Sequence, residues 1–291
     1  MHKSGFVNII GNPNVGKSTL LNALVGEKLA IITSKAQTTR HRLMGIVHGE
    51  DFQIVYSDTP GIVDPHYKLH EYMMKFIDSA LIDADIFLLV IEVNDKFNHP
   101  EVLDKIKNSG LPIILLINKI DLSDQETVVQ QINEWQIKLP MAEVIPISAL
   151  NHFNLEQVFN TLLEKLPENP PYFPKDELTD KSQRFFVSEI IREKILLFYK
   201  KEIPYSVEVV VESFKESDKI IKIFALIFVA RESQKAIIIG HGGLALKKVG
   251  TEARKDIEDF VGKQVFLELT VKVNKDWRDK DLQLKRFGYQ Q

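Results

Sequence analysis

Cysteine is absent from the 291-residue chain, which excludes disulfide bonds and metal sites with thiolate ligands. Long apolar runs are also missing. The two most apolar stretches, residues 86–93 and 220–230, are far shorter than the roughly 20 residues that span a bilayer. The N-terminus enters a strand-like segment directly, without the apolar core of a signal peptide. We therefore expect a protein of a reducing compartment such as the cytosol, with these stretches as buried strands.

Neither sign of charge dominates, since the net charge is −3. The charges are unevenly distributed, however. Residues 1–166 contain 14 basic and 20 acidic residues, whereas residues 167–291 contain 23 and 20. A net positive C-terminal part hints at a nucleic-acid or membrane partner for that part. The hydrophobic share of 44% is enough for a large core, and the length favours two domains.

Apolar strand-like segments alternate with helical patterns through the first part of the chain. Strands made almost entirely of Ile, Val and Leu, separated by amphipathic helices, predict a doubly wound, mostly parallel sheet. The second and third strands are separated by only two residues, so they predict an antiparallel hairpin at one edge. The predicted strands are 6–11, 41–49, 52–57, 86–93, 111–118 and 142–148. The predicted helices are 17–25, 68–83, 100–109, 125–138 and 154–166.

A polar segment with four prolines, LPENPPYFPKDELTDKS (166–182), interrupts this pattern. Because proline restricts the backbone and removes a hydrogen-bond donor, the segment is typical of a stiff, extended linker. We therefore predict an α/β domain over 1–168, a linker over 169–182 and a second domain over 183–291. The second domain has the order α-β-β-α-α-β, which predicts an α+β module with a small antiparallel or mixed sheet. Its predicted elements are 183–200, 205–214, 219–230, 233–240, 244–261 and 264–273.

The segment GNPNVGKS (11–18) fits the phosphate-loop pattern G-x-x-x-x-G-K-[ST] and stands between a predicted strand and a predicted helix. Gly11 and Gly16 allow the backbone N–H groups to face a phosphate. Lys17 places a positive charge near the β- and γ-phosphates, and the Ser18 hydroxyl is suited to Mg²⁺. The expected phosphate site comprises Gly11, Asn12, Pro13, Asn14, Val15, Gly16, Lys17, Ser18 and Thr19.

The segment NKID (118–121) follows a predicted strand and indicates which base is bound. The Asp121 carboxylate accepts two N–H donors, and guanine presents two such donors on one edge whereas adenine does not. Asn118 is expected to tie this segment to the phosphate loop, and the Lys119 stem to cover the base. The Ala149 N–H, in SAL (148–150), is placed to meet guanine O6. The expected base site comprises Asn118, Lys119, Ile120, Asp121, Ser148, Ala149 and Leu150.

Two segments between these motifs, KAQTTRHR (35–42) and DTPGI (58–62), have the composition of switches that sense the γ-phosphate. Asp58 is expected to hold Mg²⁺ through water, and the Gly61 N–H to meet the γ-phosphate. Thr38 and Thr39 both qualify as the switch threonine that reaches Mg²⁺, and the sequence alone does not choose between them. The candidate catalytic residues are Lys17, Thr38, Thr39, Asp58 and Gly61. The candidate metal set is Ser18, Thr39 and Asp58, and Thr59, Pro60 and Ile62 complete the nucleotide-binding set.

The second domain contains Gly-His-Gly-Gly at 240–243 between two predicted helices. A GxxG loop within the α-β-β-α-α-β order is typical of a KH domain, whose loop clamps a single-stranded RNA backbone. The candidate RNA-binding residues are Gly240, His241, Gly242, Gly243, Lys247, Lys248 and Arg254. For the tail residues, RNA contact and packing of the tail on the module are equally compatible with the sequence. These tail residues are Trp277, Arg278, Lys285, Arg286 and Phe287.

In this order, the segments GNPNVGKS, KAQTTRHR, DTPG, NKID and SAL, followed by a KH-like module that ends in VKVNKDWRDKDLQLKRFGY, resemble the Era family of bacterial GTPases over essentially the whole chain. The resemblance implies a type II KH domain and a GTPase that uses GTP/GDP and Mg²⁺. It also implies binding to the 3′ end of 16S rRNA and a role in assembly of the 30S ribosomal subunit. A cytoplasmic monomer with peripheral attachment to the inner membrane is the expected form. Many relatives have a basic residue in the GxxG loop, where this chain has His241 and Gly242, so we expect RNA affinity to depend more on Lys247, Lys248 and the tail.

Ile62 stands where many nucleotide switches have a glutamine that orients the attacking water. Its apolar side chain cannot do so. The attacking water could instead be positioned by backbone carbonyls of residues 35–42. It could also be positioned by a K⁺ ion held by Asn14, because the corresponding residue is a potassium ligand in related GTPases.

Two alternative functions are compatible with the sequence. One is an RNA-binding scaffold with structural GTP and negligible turnover, and the other is an Era-like GTPase that acts on another RNA.

Overall fold

The computed structural model describes residues 1–289 and divides the chain into two compact units. The first unit comprises Met1–Asp64 and Met73–Asp180. The second comprises Pro65–Tyr72 and the chain from Lys181 onward. The short segment Pro65–Tyr72, which begins three residues after the predicted switch at 58–62, therefore groups with the C-terminal part of the chain.

The first unit is built on a six-stranded sheet. Its strands are β1 (Lys3–Gly11), β2 (Leu43–His48), β3 (Phe52–Asp58), β4 (Ile86–Glu92), β5 (Ile113–Asn118) and β6 (Glu143–Pro146). Its helices are α1 (Lys17–Val25), α2 (Lys68–Ile82), α3 (Pro100–Asn108), α4 (Gln125–Lys138) and α5 (Leu155–Lys165), and the first residues of α2 belong to the second unit. The strand order is β2-β3-β1-β4-β5-β6. Only β2 is antiparallel to its neighbour, so the predicted doubly wound sheet with an edge hairpin is confirmed.

The central strands are apolar along their whole length because both faces of the sheet are covered. All six residues of β5 (IILLIN) are buried, and so are the first six of β4 (IFLLVIE). Burial on both faces removes the apolar–polar alternation of a half-exposed strand. Because β1, β3, β4 and β5 are parallel, their carboxyl ends lie at the same end of the sheet, where the predicted motifs begin.

The proline-rich segment predicted as a stiff, extended linker belongs to the first unit over residues 169–180. The Gln53 side chain accepts from Tyr172 N at 2.7 Å and donates to Phe173 O at 2.7 Å. On the edge strand β2, Ile46 N donates to Leu178 O at 2.9 Å. An edge strand presents unpaired N–H groups, and this segment supplies acceptors for them. Its prolines therefore produce an extended path along the sheet edge.

The second unit contains a three-stranded mixed sheet of order β7-β8-β9. Its strands are β7 (Glu208–Glu216), β8 (Ile220–Val229) and β9 (Gln264–Val273), with β7 antiparallel and β9 parallel to β8. Its helices are α6 (Gln183–Phe198), α7 (Ile203–Ser206), α8 (Glu232–Ile239), α9 (Leu244–Val261) and α10 (Asp281–Arg286). The predicted order of elements is confirmed, except that α7 occupies the expected start of the first strand. Pro204 lies in the first turn of α7, where its missing N–H is not needed.

The tail after β9 folds back on the second unit. Trp277 is fully buried, and its Nε1 donates to Ser206 O at 3.1 Å. The Phe287 ring lies 5.5 Å from the Trp277 ring and 5.1 Å from the Phe228 ring. For Trp277 and Phe287 the structure therefore favours packing, whereas Lys285 and Arg286 are exposed.

Between residues 1 and 289, none of the helices combines the length and the apolar composition that a membrane crossing requires.

Candidate functional site

The phosphate loop connects β1 to α1 and is closed by two glycines that tolerate no side chain. A Cβ on Gly11 would lie 2.2 Å from the Val90 carbonyl oxygen, so the neighbouring strand excludes any larger residue. Gly16 has φ +100°, and a Cβ there would lie 2.3 Å from Asn118 Nδ2. The backbone thus curls tightly beneath α1, whose N-terminal N–H groups and dipole favour an anion.

Lys17 is buried at the start of α1. Its Nζ donates to Gly11 O at 2.9 Å and to Asn12 O at 2.8 Å, so the ammonium is held within the loop. Burial lowers the pKa of Lys17 to about 8, against the opposing effect of the Asp58 and Asp95 carboxylates. A phosphate bound beside this ammonium would favour its charged form in the same way.

Three side-chain oxygens meet beside Lys17. Ser18 Oγ donates to Asp58 Oδ2 at 2.6 Å and lies 2.8 Å from Thr39 Oγ1, which itself donates to Asp58 Oδ2 at 3.3 Å. Burial raises the pKa of Asp58, whereas Lys17 and the two hydroxyls lower it. Asp58 Oδ1 is buried and has no hydrogen-bond partner among residues 1–289. A cluster of hard oxygen donors with an unsatisfied carboxylate oxygen fits Mg²⁺.

The two switch threonines have different surroundings. Thr38 Oγ1 donates to Lys35 O at 2.6 Å and lies 2.6 Å from Thr33 Oγ1. The Thr38 hydroxyl therefore contributes to the internal structure of the 33–38 turn, whereas the Thr39 hydroxyl lies in the oxygen cluster. The geometry thus distinguishes the two candidates that the sequence leaves open.

The DTPGI segment contacts the phosphate loop from the other side. A Cβ on Gly61 would lie 2.6 Å from Pro13 Cα, so the two backbones are in direct contact. Thr59 Oγ1 donates to Ile9 O at 2.8 Å and is fully buried. Ile62 is 2% exposed and packs into the apolar core beside the central strands. Thr59 and Ile62 therefore anchor the segment on both sides of Gly61.

The base loop is tied to the phosphate loop through Asn118. Its Nδ2 donates to Val15 O at 2.8 Å, and its Oδ1 accepts from Ala149 N at 3.0 Å. The Ala149 N–H, which the sequence assigns to guanine O6, is thus engaged by Asn118 in this structure. Its contact with a base would have to share or replace that hydrogen bond. Asp121 is exposed at the mouth of the site.

A cavity of about 450 Å³ joins these loops. It is lined by most of the predicted residues: Pro13, Asn14, Gly16, Lys17, Ser18, Thr19, Thr38, Thr39, Gly61, Asn118, Lys119, Asp121, Ser148 and Leu150. The remaining predicted residues do not line the cavity: Gly11, Asn12, Val15, Asp58, Thr59, Pro60, Ile62, Ile120 and Ala149. The cavity wall also contains residues that the motifs do not include: Ile31, Ile32, Thr33, Ser34, Gln37 and Leu122. Two of these, Leu122 and Ile32, are apolar side chains that are exposed on the surface, at 77% and 44%.

In the second unit, the GxxG loop joins α8 to α9. Gly240, Gly242 and Gly243 all have positive φ, and a Cβ on Gly240 would lie 2.6 Å from the Ala245 Cβ. His241 lies in this loop, and the described residues contain no group of three or more His, Cys, Asp or Glu side chains that could hold a metal ion. Glycine is required most strictly at Gly240, because a Cβ at Gly242 or Gly243 would meet no atom within 4 Å.

A groove of about 390 Å³ runs along α9 and β9 from this loop. Its lining residues are Gly243, Leu246, Lys247, Gly250, Thr251, Arg254, Leu267 and Leu269. Lys247 and Arg254 thus line the groove, as expected for residues that contact RNA phosphates. Lys248 does not line it, because its ammonium lies 4.5 Å from the centroid of the Phe198 ring. The helical spacing separates the two adjacent lysines onto different faces of α9.

Comparison with known proteins identifies both units. A family model described as "50S ribosome-binding GTPase" matches residues 6–119, and one described as "KH domain" matches residues 202–278. GTPase Era of Staphylococcus haemolyticus (strain JCSC1435) is 44% identical over 99% of this chain and 97% of its own length. A crystal structure of Era in complex with MgGDPNP and nucleotides 1506–1542 of 16S ribosomal RNA is 39% identical, with a TM-score of 0.96 over 100% of both chains. An alanine variant of Aquifex aeolicus Era bound to GDP and aluminium fluoride is 39% identical, with a TM-score of 0.95 over 99% of this chain and 100% of that chain.

Proposed function

Because this chain belongs to the Era family of GTPases, we propose that it hydrolyses GTP at the cavity of the first unit and binds the 3′ end of 16S rRNA through the groove of the second. The Era structure with MgGDPNP and 16S rRNA nucleotides supports this assignment of both ligands. The function that follows is a factor in the assembly of the 30S ribosomal subunit, with the nucleotide state governing RNA binding.

The oxygen cluster formed by Ser18, Thr39 and Asp58 beside Lys17 is the observation that carries the GTPase assignment. Phosphoryl transfer needs positioning and neutralisation of charge more than covalent chemistry by the protein. Mg²⁺ held by these oxygens would supply part of that neutralisation. Lys17 would contribute a second positive charge, and the Gly61 N–H would meet the γ-phosphate. Asp121, at the mouth of the cavity, would accept the two N–H donors of guanine.

Water positioning is assigned to groups other than Ile62, since that side chain is buried in the core. Asn14 lines the cavity and has a left-handed backbone with φ 64°. We propose that Asn14 contributes to a K⁺ site beside the phosphates. Turnover should then be faster in K⁺ than in Na⁺, and Asn14→Ala should remove this difference. Equal turnover of the unaltered chain in the two salts would instead favour backbone carbonyls of residues 35–42.

The link between the switches and RNA binding is proposed to run through Pro65–Tyr72. This segment begins four residues after Gly61 and belongs to the second unit. There Lys68 forms an ion pair with Asp281, and the Arg278 guanidinium lies 4.7 Å from the centroid of the Tyr67 ring. Displacement of residues 58–64 by the γ-phosphate would therefore shift the segment Pro65–Tyr72, which contacts Asp281 and Arg278 in the tail of the second unit.

A cytoplasmic monomer with peripheral attachment to the inner membrane is the proposed form of the protein in the cell. Cell fractionation with a salt wash tests the location, and light scattering with and without RNA tests the oligomeric state. A protein that stays in the membrane fraction after high salt, or that forms a stable dimer, would contradict this part of the proposal.

Two experiments test the function directly. The first measures phosphate release over many turnovers, with Lys17→Ala as the inactive control. Negligible turnover by the unaltered chain, together with tight GTP binding, would support an RNA-binding scaffold with structural GTP. The second is RNA crosslinking in cells followed by sequencing. Enrichment of the 16S 3′ end supports the proposal, whereas enrichment of a tRNA or of large-subunit RNA would overturn it.

A further inference from the structure

A short loop after β4 contacts both halves of the nucleotide site, although none of its residues lines the cavity. The loop leaves the sheet beside β5, where Val93 N donates to Asn118 O at 3.2 Å. It then turns through Asn94, which has a left-handed backbone with φ 65°. This turn places two carboxylates, Glu92 and Asp95, within reach of different nucleotide-binding loops.

Asp95 contacts the phosphate loop. Asn12 Nδ2 donates to both Asp95 oxygens, at 3.1 and 3.0 Å, so one amide is held by two acceptors. The backbone oxygen of Asn12 in turn accepts from Lys17 Nζ at 2.8 Å. Asp95 is therefore separated by one residue, Asn12, from the lysine that faces the phosphates.

Glu92 contacts the base loop. Its carboxylate forms an ion pair with the ammonium of Lys119, a residue of the cavity wall. The loop itself is fixed from α4 by the buried side chain of Gln131. Gln131 Oε1 accepts from Asn94 N at 3.0 Å, and its Nε2 donates to Glu92 O at 3.3 Å. The loop backbone is thereby held from α4 as well as from β5.

We propose that residues 92–95 position the nucleotide-binding loops: Asp95 fixes the phosphate loop through Asn12, and Glu92 fixes the Lys119 side chain along the face of the base. Neither Glu92 nor Asp95 lines the cavity, so both are positioning residues. The inference rests on the nucleotide binding proposed for this cavity. It also separates two effects, because Asp95 acts on the part of the site that holds the phosphates and Glu92 on the part that holds the base.

The test compares affinities for GDP and for guanosine, which lacks the phosphates, measured by competition on the full-length chain. Asp95→Ala should weaken GDP binding about tenfold, because it removes a hydrogen bond to a charged group. It should leave guanosine binding unchanged. Glu92→Ala should weaken both ligands by a similar factor. Asp104→Ala, which removes an exposed carboxylate on α3, is the matched control and should bind both ligands like the unaltered chain.

Asp95→Asn should recover most of the lost affinity, because its amide oxygen still accepts from Asn12. Asn12→Ala should reproduce the loss selective for GDP, and adding Asp95→Ala to it should cost little more, since both remove the same contact. Asp95→Ala and Asn12→Ala variants that bind GDP like the unaltered chain would overturn the inference. An equal loss of GDP and guanosine, with a lower melting temperature before nucleotide is added, would also overturn it by indicating a structural role alone. An unaltered chain that does not bind GDP would instead contradict the proposed function.

Discussion

Gly61→Ala is a direct test of the contact between the γ-phosphate switch and the phosphate loop. The added Cβ would lie 2.6 Å from Pro13 Cα and 2.8 Å from Pro13 N, both of them backbone atoms. Ordinary van der Waals contact begins at 3.4 Å. One of the two backbones must therefore move by about 1 Å, a displacement that can lower the rate of a positioned reaction about a hundredfold.

The phosphate loop is held by Asn118 through Val15 and by Asp95 through Asn12, so we expect the segment at Gly61 to yield. Its N–H would then miss the γ-phosphate, whereas the diphosphate site would stay in place. The predicted result is a kcat about a hundredfold lower, with GDP affinity changed by less than about threefold. Overpacking of this kind should also lower the free energy of unfolding by about 1–3 kcal/mol.

Single-turnover phosphate release and GDP titration on the same preparations measure these two effects. Gly110→Ala is the control: it also adds a methyl group to a loop glycine of the first unit, but its Cβ meets nothing within 4 Å. Its positive φ of 71° costs some stability, and its turnover should be normal. Normal turnover by Gly61→Ala would show that the contact between Gly61 and Pro13 does not position the γ-phosphate switch. An equal loss of turnover and GDP affinity would show that the phosphate loop is the part that moves.

Three further substitutions test individual assignments. Ile62→Ala should lower the free energy of unfolding by about 2–5 kcal/mol, because it removes a buried side chain from the core, yet the folded variant should retain most of its GTP hydrolysis. Loss of hydrolysis with GTP binding intact would assign Ile62 a catalytic role. Thr39→Ala should raise the Mg²⁺ concentration needed for half-maximal turnover, whereas Thr38→Ala should not, because of these two residues only Thr39 has its hydroxyl in the oxygen cluster. Equal effects of the two substitutions in a Mg²⁺ titration would contradict this distinction. Lys247→Ala should reduce the slope of log RNA affinity against log salt concentration by about 0.7, the value for one phosphate contact on a single strand, and Lys248→Ala should leave this slope unchanged. A reduced slope for Lys248→Ala and an unchanged slope for Lys247→Ala would place RNA on the other face of α9.

The sequence predicts the sheet well because its central strands are buried on both faces, and the short apolar run IILLIN at β5 is typical of such a strand. The α-β-β-α-α-β order of the second unit follows from similar runs separated by turn residues. The phosphate and base motifs are also placed correctly at the ends of β1 and β5, because their glycine and carboxylate spacing reflects local backbone geometry. These features depend on residues that are near each other in the chain.

Features that depend on distant residues are not predictable in this way. Thr38 and Thr39 occupy the same motif, and their hydrogen bonds distinguish them: Thr38 bonds within the 33–38 turn, whereas Thr39 bonds to Asp58. The pairing of Asn12 with Asp95 joins residues 83 positions apart, and no local pattern indicates it. The prolines at 167–174 predict an extended segment, but not that it would supply acceptors to an edge strand.

The proposal that nucleotide state governs RNA binding is tested by the RNA affinity of the protein in each nucleotide state. The affinity of the full-length chain for a synthetic RNA corresponding to nucleotides 1506–1542 of 16S rRNA is measured with GDP, with a non-hydrolysable GTP analogue and without nucleotide. We predict tighter binding with the GTP analogue than with GDP by about fivefold or more, within the usual range of coupling between two sites. Equal affinities in the three states would contradict the claim and leave two independent binding units.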